Sequence, residues 1–451
     1  MSRIARTPAA AALLLAALSS CASAAMRAAE QGDLAQLRAA LADKHAKGKL
    51  SNGEAAELAR AVAEHEITSA KDEKIALERL RDARACTVEL DDALEARMTS
   101  HDGAGAEAAL ARLEAGELSE GAARRWLDDP DDRWRAVGAR TLRRTDDRAR
   151  RRAALLDPSP RVRRSAIRAA ASARDEGDLE PLFETARVDP EPMLRSEAIR
   201  SMSAILRRLG DEGRGRAADL AVRLRDVWSA GDDATKEDVA VAWGLAPVFE
   251  DGGREALRVA IAGGRGPGAI AAAGVVLRSA RGDAELATSA SALLARTIAD
   301  GSRRDRLHAL AVARLDGVVL DAVREAGRDD DLEVRVPALA ALLVSAPDRE
   351  AAKKALFTIA GYGVKGAGPA DDARALEHAV AARHALAAAG ELRVQAWLED
   401  DLAAASPRRK LSAASALAAL GRPARAAPLL VDPDPAVRTR AACTIVMASR
   451  R

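Results

Sequence analysis

The chain has 451 residues, enough for two or three ordinary domains or for one long repeat array. Apolar residues make up 48% but aromatics only 2%, so any core is built from Ala, Leu and Val. That disfavours a bulky three-dimensional enzyme core and suits thin stacked helices. The 70 basic and 68 acidic residues nearly cancel, which excludes a bulk polyanion binder and leaves only local charged patches.

In chain order, Arg3 and Arg6 precede an apolar run from Ala9 to Leu18, followed by Leu18-Ser19-Ser20-Cys21. A basic start and a short apolar core describe a secretory signal peptide over residues 1–20, too short for a stable membrane-spanning helix. The ending resembles the bacterial lipobox. The resemblance implies that Cys21 is diacylated, becomes the mature N-terminus, and anchors the chain to a membrane through lipid alone. Ala22, rather than Asp, after the cysteine implies the outer membrane and a periplasm-facing chain. Two alternatives stay open: cleavage at Ala22-Ser23-Ala24 to give a soluble periplasmic protein, or a cytosolic N-terminus in which Cys21 is incidental. Removing residues 1–20 leaves 68 charges of each sign.

Residues 21–118 are expected as a helical cap, with amphipathic helices over Met26–Leu41, Glu54–Glu64 and Asp72–Arg84. A repeat array needs an atypical terminal unit, and this one is expected over the first repeat interface. Cys86 and Cys443 are the remaining cysteines. Because a solenoid keeps distant repeats apart, they are expected as separate thiols, Cys443 buried in the apolar run Ala441–Met447.

From 119 to 451 the chain repeats. Asp129-Pro130, Asp157-Pro158, Asp189-Pro190 and Asp432-Pro433 open similar stretches, with weaker copies at Asp300, Asp329 and Ala404. Six residues on stands a base: Arg135, Arg163, Arg195, Arg306, Arg335, Lys410 and Arg438. Nine on stands a small residue, Gly138 or Ala166 for example, suited to close helix approach, and apolar residues follow ten and thirteen on. Starts at 129, 157 and 189 are 28 and 32 residues apart, room for two short helices and two turns. The Asp-Pro opening reads as a turn whose proline suits the first turn of the next helix.

The pattern Asp157-Pro158 through Val162-Arg163 and Ala166 resembles a HEAT repeat of the short bacterial type also found in phycobilin lyases. It covers about Gly121 to Arg451, blurred over 206–299 and 345–403. The resemblance implies an all-α solenoid of helical hairpins. The Asp column would lie in the turn inside each repeat, and the Arg column would start the second helix and pair with Asp along the stack.

Chemistry is sparse. Deoxyhypusine hydroxylase, a HEAT enzyme, uses several His-Glu pairs; this chain has only His65-Glu66, and His378 and His384 are six apart, not the four of a zinc helix. No metal or cofactor is expected. Gly361-Tyr362-Gly363-Val364-Lys365-Gly366 is a literal G-x-G-x-x-G but follows a helical stretch, so it reads as an inter-repeat loop with a helix start at Pro369. Gly263-Gly264-Arg265-Gly266-Pro267-Gly268 reads the same way.

The one distinctive surface signal is basic. Residues 124–168 hold fifteen arginines against seven aspartates. Eleven residues after the first three starts stand Arg140, Arg168 and Arg200, which stacking places in register, on the concave side by family resemblance. Guanidinium rows suit carboxylates or phosphates, while the plain alternative is a solvated, acid-compensated face. The expected function is an envelope-anchored, non-catalytic scaffold binding an acidic protein segment or anionic glycan through these three arginines. Nucleic acid is excluded for want of a stacking platform. The alternative is an enzyme, or a subunit that delivers one, with a site in 206–299 or 345–403.

Overall fold

The computed structural model describes residues 24–46, 50–209, 214–279, 283–364 and 372–450. Among them the chain is all-α, a solenoid of stacked helical hairpins without strands. It divides into two compact units, Met1–Glu117 with Arg383–Arg451, and Leu118–Ala382.

The repeat columns translate into one local device. Asp129, Asp157, Asp189, Asp329 and Asp432 each accept a hydrogen bond from the backbone N–H two residues on, at 2.7–2.9 Å. This side-chain turn delivers a capping residue at that second position. Asp131, Ser159, Asp331 and Asp434 accept from first-turn amides there. In the weaker copies Ser302 and Ser406 do the same. Each such cap stabilises its helix by about 1 kcal/mol. The second helix therefore begins three residues after the start: Asp132–Arg140, Pro160–Ala173, Pro192–Leu209, Arg303–Val312, Leu332–Leu342, Pro407–Ala419 and Pro435–Ala448. This corrects the expectation for the Asp-Pro proline. Pro130, Pro158, Pro190 and Pro433 precede the cap, and a second proline at 160, 192 or 435 opens the helix.

Arg135, Arg163 and Arg195 of the Arg column tie their own turns shut and hold the next. In the 118–382 unit, Arg163 donates to the carbonyls of Asp157 and Pro158 at 3.1 and 3.0 Å. Its other edge binds Asp189, one repeat on, at 2.8 and 3.1 Å. Arg135 likewise bonds the carbonyls of Asp129 and Pro130 and reaches Asp157. Arg195 takes the Asp189 carbonyl and Asp232, and Arg306 takes Ile298 and Asp329. A planar fork with five donors can serve both jobs at once, which lysine cannot. Gly138, in the small column, sits so close to the preceding turn that a Cβ there would lie 2.5 Å from the Leu127 backbone nitrogen.

Aromatics are few but paired. Trp126 meets Trp134 at 4.5 Å between ring centroids, and Trp228 meets Trp243 at 5.1 Å. Otherwise the packed layer is Ala, Leu, Ile and Val, as in the buried set Ala166, Ile167 and Ala170.

In the other unit the N-terminal helices pack on the last repeat. Asn52–Thr68 lies along Pro435–Ala448. Glu66 takes the position of a next-repeat aspartate: Arg438 binds the Asp432 and Pro433 carbonyls of its own turn and then Glu66 at 2.7 Å. Arg440 reaches Asp82 at 2.8 Å. Cys86 and Cys443 form a disulfide across 357 residues, S–S 2.04 Å, both buried. The expectation of separate thiols fails because residues distant in sequence meet here, the N-terminal helices packing directly on the helix that carries Cys443.

Candidate functional site

Arg140, Arg168 and Arg200 lie in the 118–382 unit on three second helices packed side by side, Asp132–Arg140, Pro160–Ala173 and Pro192–Leu209. The repeat geometry makes them a ladder, because each occupies the same position after its capped turn. Each reaches forward to the following helix. Arg140 donates to the Ser172 hydroxyl at 3.2 Å, Arg168 to Glu197 at 2.6 Å, and Arg200 pairs with Asp238 at 3.2 Å. Glu197 is shared with Arg164 at 3.2 Å. Along the ladder exposure is uneven: the Arg200 side chain retains 60% of its accessible surface and that of Arg168 31%.

Burial pushes the Asp238 carboxyl above the usual aspartate range, against the nearby Arg200 guanidinium that pulls it down. Asp238 is thus a half-withdrawn counter-charge, with Arg200 the exposed half of the pair. Glu197 and Asp238 were not legible as ladder partners, since neither falls in a repeat column. The only signal was an acid on the following helix.

Several arginines of the run are spent on carboxylates of the stack. Arg124 pairs with Asp147, Arg135 with Asp157, Arg148 with Asp175, and Arg163 with Asp189. Arg151 is fully buried, donating to the Leu142 carbonyl at 3.0 Å, to Asp175 at 3.1 Å and to Asp178 at 2.7 Å. The Arg148 guanidinium holds the Asp175 carboxyl below its ordinary value, whereas burial raises that of Asp178. Part of the local excess of positive charge seen in the sequence is therefore spent on the stack itself.

The histidines stay scattered. His65 shares a hydrogen bond with the Glu30 carbonyl at 3.1 Å, and His308 lies 3.7 Å from Glu237. Burial lowers the His384 pKa, and its ring stands 3.5 Å from the Ser415 hydroxyl. Among the described residues no group of three or more His, Cys, Asp and Glu is placed to hold a metal. Gly361 ends the helix Arg349–Ala360; residues 365–371, with the expected helix start at Pro369, lie outside the described residues, and the next helix runs Ala373–Ala388. Cys21 also lies outside them. No helix among the described residues is long and apolar enough to cross a membrane. The 345–403 stretch contributes a buried pair, Arg383 to Asp401 at 2.7 Å, with Arg409 on the same carboxylate at 2.8 Å; both arginines leave Asp401 compensated and structural.

No family model matches the chain, and no curated protein matches it. Among solved structures it is similar to a crystal structure of an engineered protein from a structural genomics consortium. Identity is 17%, with a TM-score of 0.26, over 86% of this chain and 99% of that one.

Proposed function

We propose that this chain is a scaffold anchored at the cell envelope through Cys21, facing the periplasm from the outer membrane. It holds an acidic protein segment along Arg140, Arg168 and Arg200. The observation that supports this most is the ladder itself: three guanidinium groups in register on adjacent helices, grading outward to a largely exposed Arg200. Glu197 and Asp238 are mostly buried while Arg200 is exposed, so a partner's carboxylates add to the outer edges of these pairs rather than replace them, and affinity comes from engaging several rungs together.

The Cys86–Cys443 disulfide favours an oxidising compartment, in keeping with a lipobox ahead of the helices. The reading assigns no catalytic role to the chain. Its HEAT-like character rests on the aspartate-arginine device repeated through both units. The test is affinity capture from native envelope with wild type and the Arg140→Ala/Arg168→Ala/Arg200→Ala variant. At least one acidic protein should be lost from the variant. Retention of every partner refutes the ladder's role, and loss of an anionic glycan instead would reassign it.

A further inference from the structure

The stretch 206–299 loses the aspartate and arginine columns, yet it holds a cleft of about 260 Å³ in the 118–382 unit. One wall is Trp228, from the helix Arg214–Ala230, with Val259 and Pro267 beside it. Lys236, on Asp233–Trp243, and Arg265, just ahead of Gly266–Ser279, supply positive charge.

Two observations point to an occupant. First, the Lys236 and Arg265 side chains make no ion pair or hydrogen bond among the described residues. The acid that lines the cleft, Asp233, is held 3.2 Å from Arg304. Second, the Gly263–Gly268 loop is shaped to bring these groups together. Gly264 and Gly266 have φ of +68° and +77°, the left-handed region that favours glycine. A Cβ at Gly268 would fall 2.8 Å from the Lys236 Cβ and 2.9 Å from Trp228 Cη2, so only glycine lets both side chains close on this loop.

We infer that this cleft binds a small aromatic carboxylate. The carboxylate sits between Lys236 and Arg265, and the ring lies on Trp228, which is itself fixed by Trp243. The volume equals about nine water molecules at ~30 Å³ each, the scale of a single ring with a short acid arm rather than a nucleotide. The same chemistry is presented by a free acid and by a peptide ending in phenylalanine, so the experiment separates them. Isothermal titration of the full chain uses phenylacetate, a tripeptide ending in Phe with a free carboxylate, and the same tripeptide amidated.

Saturable binding of the free acid, the free-carboxylate peptide or both is expected, with none for the amide. The arm that binds names the source. Lys236→Ala/Arg265→Ala should weaken binding at least tenfold, and Trp228→Leu should weaken phenylacetate more than acetate. Because Trp228 also packs on Trp243, helical content by circular dichroism is checked for each variant. The two cation variants, placed at half-buried and exposed positions, carry the test if Trp228→Leu fails to fold. No saturable binding of either carboxylate, or unchanged affinity in the double cation variant, overturns the assignment.

Discussion

Arg163→Ala removes one side chain and undoes three contacts. Arg163 is 9% exposed and its partner Asp189 6%, so neither charge is well hydrated. Without the guanidinium, Asp189 keeps only its hydrogen bond from the Glu191 amide, and the Asp157 and Pro158 carbonyls lose their donor. Breaking a buried ion pair from one side costs about 3–5 kcal/mol, because it strands a charge away from water. Arg335 provides the internal comparison. It occupies the same column position but is only half-buried, and its side chain makes no ion pair or hydrogen bond among the described residues. Arg335→Ala should cost about 0.5 kcal/mol or less. Urea unfolding followed by circular dichroism, with linear extrapolation and the slope checked for constancy, measures both. If Arg163→Ala and Arg335→Ala lie within about 0.5 kcal/mol of each other, the double grip on turn and neighbour is not what holds the stack.

Reduction of Cys86–Cys443 should lower the melting temperature of the unit that contains it. A loop of 357 residues sets a chain-entropy ceiling near 6 kcal/mol, against the 2–4 kcal/mol usual for native disulfides. In a Cys21→Ser chain, thiol titration should find no free thiol before reduction, and a reactive pair would contradict the bond. Stability should change little from pH 7 to 5 and fall steeply below pH about 4. Asp175, Asp329 and Asp348 are held below their ordinary range by Arg148, Arg306 and Arg324. A carboxyl depressed by folding contributes fully above its unfolded pKa and loses that contribution as pH falls through the folded one. Asp178 and Asp238, raised by burial, work in the opposite sense and soften the fall. Urea midpoints at pH 7, 5 and 3 decide, and rising stability on acidification would contradict the sign. Gly138→Ala should destabilise by about 1–3 kcal/mol by overpacking against the Leu127 backbone. Equal midpoints for wild type and variant would show that the turn can yield.

What the sequence made legible was whatever recurs. The Asp, Arg and small columns foretold the turn, the clasp between repeats and the close approach at Gly138, because each repeat meets the same neighbour in the same way. Singular features escaped it. Glu66 replaces a column aspartate without an Asp-Pro motif around it, so nothing in the pattern told which repeat the N-terminal helices cover. The disulfide followed from that same placement. The helix start was misplaced onto the first proline because Asp-Pro-x-Pro holds two candidates, and only the side-chain turn at Asp decides between them. The ladder arginines were found, but their compensation by Glu197 and Asp238 depends on how helices from different repeats abut.

The proposal rests on a division of labour among arginines: the column through Arg163 clasps neighbouring repeats, and the ladder of Arg140, Arg168 and Arg200 is proposed to hold an acidic partner. Capture from native envelope, paired with urea unfolding of the same samples, tests it most directly. The triple ladder variant should lose less stability than Arg163→Ala while losing an acidic partner that wild type retains. A variant that is equally stable and captures every wild-type partner would contradict the account.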